Sequence, residues 1–209
     1  MADAVNTPDT PLASYDYTEL RDGFGLETYN LYAAIDSSGT DYVIGKETPY
    51  SAEPVLEGPK TATTTTYTCY TGTFSSPRVL LGTMFCSFGM KLVKGGGVDG
   101  YCTIKVYHYD GSTSTQVGST WTSATQNPST TTDYKSINAI IPITSSTTFK
   151  KGDQIKMEIA MISNSTNDDF EIGCDPQNRA GGVIDPVANA AVGETTVFTL
   201  LIPFRNYNQ

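Results

Sequence analysis

Apolar and polar residues alternate most clearly between Gln154 and Ile162. The odd positions there are apolar, namely Ile155, Met157, Ile159 and Met161. The even positions from Gln154 to Ala160 are mostly polar. This period of two predicts a β-strand with one face against a core and one face toward water. Lys151-Gly152-Asp153, just before it, predicts the turn that brings the chain back from an antiparallel neighbour.

Similar patterns recur along the chain and are separated by turn residues at spacings of roughly 10 to 15 residues. No stretch has the period of an amphipathic helix. Strands are expected at 29–35, 42–44, 62–70, 79–92, 101–109, 137–143, 154–162, 170–172 and 195–204. Residues 79–92 are expected to form a long bent strand or two strands, and 117–122 a weak edge strand or a loop. The pattern predicts an all-β protein, an antiparallel β-sandwich of jelly-roll-like topology.

The N-terminal part of the chain differs from the rest. It begins with a stretch that has no periodicity, and three prolines lie between Glu47 and Pro59. Prolines favour a linker because they supply no backbone donor to a sheet. The sequence therefore predicts an extended N-terminal arm with a short hairpin, residues 1–58, and a β-sandwich body, residues 59–209.

Charge restricts the classes of partner. The formal net charge is −9, yet only 17% of the residues are charged, and no cationic run exceeds Lys150-Lys151. Binding to nucleic acid or to an anionic membrane requires several cations together, so neither partner is expected. No apolar run approaches the ~20 residues of a membrane helix. The start of the chain lacks the basic and apolar regions of an export signal.

Candidate chemistry is sparse. His108 is the single histidine and has no nucleophile motif such as G-x-S-x-G beside it, so a structural strand histidine is expected. The four cysteines, Cys69, Cys86, Cys102 and Cys174, have no zinc-site spacing and leave one or two disulfides open. We therefore predict no enzymatic activity, no catalytic residue and no cofactor. A weak calcium candidate is formed by Asn164, Asp168 and Asp169, although a solvated turn explains them better.

Aromatic residues supply the candidate binding surfaces. The chain holds 13 tyrosines and one tryptophan. Trp121 with Tyr107 and Tyr109 is a candidate platform on which a sugar ring stacks. Tyrosine is also favoured at protein–protein contacts, because its ring is apolar and its hydroxyl is polar.

The phrase from Thr147 to Ile159, together with the closing Leu201-Ile202-Pro203-Phe204, resembles the later strands of β-sandwich structural proteins of virus particles. These are capsid-decorating and jelly-roll coat proteins. The resemblance implies a non-enzymatic virion protein, made in the host cytoplasm, that stabilises the capsid by contacts with itself and with other capsid proteins. A homotrimer or a lattice is expected, and the expected contact residues lie in the arm: Tyr15, Tyr17, Phe24, Tyr29 and Tyr32. The alternative is a carbohydrate-binding, lectin-like module that attaches to glycans.

Overall fold

The structure, a computed structural model, describes residues 25–35, 42–46, 55–58, 63–92, 99–126, 135–164, 170–174 and 197–205. In these ranges the chain forms β-strands and no helix, so the all-β prediction is confirmed. None of the described segments is a helix that could cross a membrane. The strands are β1 Leu26–Ile35, β2 Tyr42–Gly45, β3 Val55–Gly58, β4 Thr64–Thr71, β5 Arg78–Leu92, β6 Gly100–Tyr109, β7 Ser114–Thr122, β8 Lys135–Phe149, β9 Gln154–Ser163, β10 Phe170–Gly173 and β11 Thr199–Arg205.

The strands hydrogen-bond in one sheet in the order β3-β10-β5-β11-β1-β2-β4-β9-β6-β7, and β8 pairs with β5. The pairs are antiparallel except that β2 runs parallel to β4, with Tyr42 opposite Cys69 and Ile44 opposite Thr71. Parallel strands need a crossover of a dozen residues or more, which residues 46–63 are long enough to provide. The sheet is therefore mixed, and the purely antiparallel arrangement expected from sequence was wrong.

The first two strands belong to the body of the sheet. β1 lies between β11 and β2, with Leu26 opposite Pro203 and Asn30 opposite Gly45. Tyr29 and Tyr32 of β1 are buried. Residues 26–35 and 42–45, which the sequence placed in an arm with a short hairpin, residues 1–58, pair with β11 and β4.

The predicted alternation in β9 places its odd residues in the core, where Ile155, Met157, Ile159 and Met161 are all fully buried. The long pattern at 79–92 is one strand, β5. Its pairing with β8 shifts register between Leu80 and Gly82. Gly82 has a φ of +128°, which side-chain-bearing residues rarely adopt, so glycine permits the bend at this point.

Aromatic rings join facing parts of the curled sheet. Phe88 of β5 stacks on Phe198 with ring centres 4.6 Å apart, and Trp121 of β7 meets Phe88 edge-on at 6.2 Å. A second group forms where Phe149 of β8 packs against Phe74, with centres 5.5 Å apart. Because β5 and β7 are far apart in the order of hydrogen-bonded strands, these contacts bring distant strands together around one core.

Candidate functional site

A row of polar and aromatic side chains crosses the outer face of β4, β9 and β6. Lys156 of β9 lies opposite Tyr70 of β4 and opposite Tyr107 of β6. Residues directly opposite in neighbouring strands place their side chains on the same face, a few ångströms apart. The Lys156 Nζ accordingly lies 5.2 Å from the centre of the Tyr107 ring.

The charges on this face are paired with one another. Glu158 accepts a hydrogen bond from the Tyr107 hydroxyl at 2.8 Å and lies 2.9 Å from Lys156 Nζ. Burial alone would raise the pKa of Glu158, but the contacts with Lys156 and Tyr107 bring it below its usual value. Burial and the neighbouring Glu158 raise the pKa of Tyr107 to about 12. Near neutral pH this face therefore holds a protonated tyrosine and a neutralised ion pair.

A cleft opens at the end of this row. Tyr42, Tyr70, Tyr109 and Gln154 line a cavity of about 330 Å³, which we call the tyrosine cleft. The rings of Tyr70 and Tyr109 are 5.4 Å apart and tilted by 59°. The Tyr109 hydroxyl donates to the carbonyl of Gly111 at 2.9 Å, and Gln154 Nε2 donates to the carbonyl of Thr71 at 2.5 Å. These bonds hold the side chains of Tyr109 and Gln154 in place.

A second cavity of about 500 Å³ lies beside the first. Its wall includes Lys46 and Arg78, and we call it the cationic cleft. Val43, Thr71 and Gly72 contribute to the walls of both cavities. The parallel pairing of β2 with β4 explains this, because it sets Val43 opposite Tyr70 and Ile44 opposite Thr71. The ends of these two strands therefore separate the two cavities.

A buried carboxylate supports the cationic cleft. Glu27 of β1, whose side chain is only 4% exposed, lies 2.9 Å from Lys46 Nζ and in direct contact with Arg78 Nη1. The Tyr29 hydroxyl donates to it at 2.6 Å. Burial raises the pKa of Glu27, but Tyr29, Lys46 and Arg78 together hold it below the usual value. Two cations thus face one ionised carboxylate, and this group carries a net charge of about +1 at neutral pH.

His108 makes structural contacts. Its Nε2 lies 2.6 Å from Asp153 Oδ2, and its ring packs against Phe149 at 4.5 Å. Asp153 also accepts a hydrogen bond from the backbone N–H of Lys150 at 2.7 Å. Burial tends to raise the pKa of Asp153, but Lys150 and His108 lower it overall. The pair ties β6 to the turn before β9.

The cysteines are poor candidates for nucleophiles. All four are buried and none is joined to another by a disulfide, which answers the question that the sequence left open. Burial raises the pKa of Cys102 to about 12 and that of Cys86 further still. The thiolate is the reactive form, so burial keeps these two side chains inert.

In the described part of the chain, histidine, cysteine and acidic side chains form no group of three that could hold a metal ion. Of the calcium candidates, Asp168 and Asp169 lie outside the described residues. The Asn164 side-chain oxygen accepts a hydrogen bond from the backbone N–H of Asp99 at 2.9 Å.

The structure separates the residues of the predicted sugar platform. Tyr107 and Tyr109 lie on the outer face of β6, whereas Trp121 lies opposite the buried Ile104 and packs against Phe88. Tyr109 instead meets Tyr70, which is not one of the predicted platform residues. The alternation of Thr66, Thr68 and Tyr70 against the buried Cys69 was the available signal, since it places Tyr70 on the wet face.

The structure describes two of the five residues predicted to form assembly contacts. Tyr15, Tyr17 and Phe24 lie outside the described residues. Tyr29 and Tyr32 are buried within the sheet, with exposures of 6% and 0%, and their contact with another subunit stays a prediction. The sequence assigned them to an arm because it does not reveal that β1 pairs with β11.

No family model matches this chain, and no curated protein sequence matches it significantly. Solved structures similar to it include an aminopeptidase from a marine sediment Thaumarchaeota archaeon, at a TM-score of 0.49 and 9% identity over 86% of this chain and 37% of that one. A CocE/NonD family hydrolase from Staphylococcus aureus gives 0.46 and 12%, again over 86% and 37%. An α-amino acid ester hydrolase gives 0.45 and 11%, over 85% and 34%.

These comparisons overturn the prediction of a non-enzymatic virion structural protein, because the matched structures are hydrolases. This chain spans only a little over a third of each hydrolase. At this identity and TM-score the likeness assigns no reaction to the chain. Self-association and location, which the sequence also predicted, stay predictions.

Proposed function

We propose that the chain binds a carbohydrate in the tyrosine cleft. The observation that carries this proposal is the pair of tilted rings, Tyr70 and Tyr109, beside the amide of Gln154 in one cavity of about 330 Å³. Small-molecule sites are concave, within roughly 300 to 1,000 Å³, and combine aromatic walls with a few fixed polar groups. The tyrosine cleft has these properties.

The chemistry of the lining suits a sugar. A pyranose ring has an apolar C–H face that packs on an aromatic ring, and hydroxyls around its edge that exchange hydrogen bonds with neutral polar groups. Tyrosine offers both kinds of contact in one side chain. Tyr42, Tyr70, Tyr109 and Gln154 thus provide rings and neutral polar groups around one small volume.

The site is also held in shape before a ligand arrives. Tyr109 is tied to Gly111, and Gln154 to Thr71. On the adjacent face Lys156 is fixed by Glu158 and by the Tyr107 ring. Side chains that are already ordered lose less conformational entropy on binding, which favours affinity for a small ligand.

We further infer that the curled sheet is a two-layered sandwich of the jelly-roll type. Support comes from the contacts of Phe88 with Trp121 and Phe198. Gly118 of β7 also lies so close to β8 that a Cβ placed on it would be 2.8 Å from the Pro142 carbonyl. In a sandwich, clefts at the end of the strands are open to ligands.

The test is calorimetric titration of the purified chain with neutral cello-, xylo-, manno- and malto-oligosaccharides and with oligosaccharides of uronic acids. We expect at least one series to bind and Tyr109→Ala to weaken that binding at least tenfold. Tyr101→Ala is the matched control, since Tyr101 lies on the same face of β6 but opposite Ile162, away from the cleft.

Circular dichroism of both variants checks that they remain folded. Failure of every series to bind would refute the proposal, and so would an equal loss of affinity in the two variants. A folded Tyr70→Ala variant gives a second measurement, because removing the other ring of the pair should weaken binding as well.

A further inference from the structure

The position of the cationic cleft bears on which carbohydrate is bound. Val43, Thr71 and Gly72 line both cavities, so a ligand of more than one ring that lies in the tyrosine cleft extends over these residues toward Lys46 and Arg78. The charge of this ligand rests on the proposed function, since the ligand is the same.

The charge at the second cavity favours an anion. Side-chain exposure is 34% for Lys46 and 25% for Arg78, against 4% for Glu27 behind them. Among the described residues, one carboxylate contacts these two cations, so positive charge faces the cavity in a chain whose formal net charge is −9. A ligand carboxylate would neutralise the remaining charge.

Both cations keep hydrogen-bonding capacity beyond their contacts with Glu27. A guanidinium carries five N–H donors in a planar fork, and an ammonium carries three. The cavity wall also includes Thr73 and Ser75, whose hydroxyls are additional donors. Hydrogen bonds between a cation and a carboxylate are roughly twice as strong as neutral ones.

Aromatic rings support the two cations from the protein side. Lys46 Nζ lies 5.4 Å from the centre of the Tyr29 ring. Arg78 Cζ lies 5.3 Å from the ring centres of both Phe74 and Phe204. Cations over ring faces are attracted by the ring quadrupole, which restricts the orientation of both heads.

We propose that the ligand is an acidic carbohydrate, an oligosaccharide containing uronic acid, with one sugar ring in the tyrosine cleft and a carboxylate between Lys46 and Arg78. Recognition combines two features. The tyrosine cleft supplies paired aromatic rings with a neutral amide, and the cationic cleft supplies two cations with a net positive charge.

The experiment compares matched trisaccharides of galacturonate, glucuronate and mannuronate with their methyl esters, by calorimetry in low salt. The ester retains the ring and its hydroxyls but removes the charge. We expect at least one acid to bind at least tenfold more tightly than its ester. Exposed charge interactions are screened by salt, so this ratio should fall at 0.5 M sodium chloride.

Lys46→Gln should reduce the acid-to-ester ratio severalfold. Arg78 still compensates Glu27 in that variant, so the fold is retained. The control is Lys135→Gln, which removes an exposed lysine of β8 that hydrogen-bonds to Gln126. It should leave the ratio unchanged.

The outcomes separate the two proposals. If neutral sugars bind but no acid binds more tightly than its ester, the acidic ligand is refuted and the tyrosine cleft stands. A ratio that is equally high in Lys46→Gln would also refute the role of the cationic cleft. If neither neutral nor acidic sugars bind, both proposals fail.

Discussion

At the scale of single residues, Glu27 shows how the cationic cleft depends on a buried charge. Its carboxylate meets Tyr29, Lys46 and Arg78, and these contacts outweigh the cost of burial. A buried carboxylate that loses its charge leaves both cations without their common partner. The residue therefore links the stability of β1 to the shape of the ligand site.

The first prediction concerns Glu27→Gln. Breaking a buried ion pair by removing one partner typically costs about 3–5 kcal/mol. Both cations are partly exposed and can turn toward water, so we expect a loss of about 3 kcal/mol in the free energy of unfolding. Urea denaturation at pH 7 measures it. A loss below about 0.5 kcal/mol, the range of ordinary surface substitutions, would contradict the account.

The pH dependence of stability provides a second prediction. The pKa of Glu27 is lower in the folded state than its ordinary value of 4.5. Its stabilising effect is therefore fully present above about pH 5 and is lost as the pH falls through the folded-state pKa. Melting temperatures between pH 3 and pH 7 should fall more steeply for the native chain than for Glu27→Gln. Parallel curves would contradict the inference.

Gly118 gives a third prediction, with a control in the same part of the chain. Gly118 and Gly111 both have positive φ, at +72° and +93°, so both alanine substitutions are strained. A Cβ at 118 would also lie 2.7 Å from the Ile143 Cδ1 atom, whereas nothing lies within 4 Å at 111. Overpacking costs about 1–3 kcal/mol, so Gly118→Ala should be the more destabilising by that amount. Equal effects in chemical denaturation would show that β7 can move away from β8.

At the scale of elements, the sequence predicts those features, such as the position of a strand and its buried face, that depend on residues close together along the chain. The alternation from Gln154 to Ile162 identified both β9 and its buried face, because side chains of a strand alternate whatever its partner. The parallel pairing of β2 with β4 and the insertion of β1 beside β11 could not be found in this way. Both involve partners distant in sequence, and no local pattern encodes them.

The same difference between local patterns and long-range pairing explains which residues of the candidate site could be predicted from the sequence. Tyr107 and Tyr109 were selected because both fall on the wet face of β6. The contact of Tyr109 with Tyr70 requires the order β4-β9-β6, which is a long-range property. Trp121 lies inward together with the buried Val117, four residues earlier and therefore on the same face of β7. The other residues of β7 are polar or small, so the sequence shows little of this alternation.

Strand β5 allows a prediction about the two faces of one element. Phe88 is buried between Phe198 and Trp121, while Phe85 on the opposite face is 40% exposed. Truncating a buried phenylalanine costs about 3–5 kcal/mol through lost burial and the cavity left behind. Phe88→Ala should therefore lose that amount in urea denaturation, and Phe85→Ala about 1 kcal/mol or less. Similar losses at the two positions would contradict the assignment of the faces.

At the scale of the whole molecule, two cavities meet at the ends of β2 and β4. Residues of β2, β4, β6 and β9 line the tyrosine cleft, and residues of β1, β2, β4 and the start of β5 line the cationic cleft. The mixed sheet brings these strands together, since β1 and β2 lie between β11 and β4. The molecule thus places neutral aromatic and cationic surfaces side by side although the chain as a whole is acidic.

The measurement that tests this account most directly is a ¹H–¹⁵N titration of the labelled chain with the tightest-binding oligosaccharide. We predict amide shifts at Val43, Tyr70, Thr71 and Gln154, which surround the tyrosine cleft, with little change at Trp121 and Phe88. Shifts confined to the Trp121 side of the sheet, or none at saturating sugar, would contradict the claim that the tyrosine cleft binds a carbohydrate.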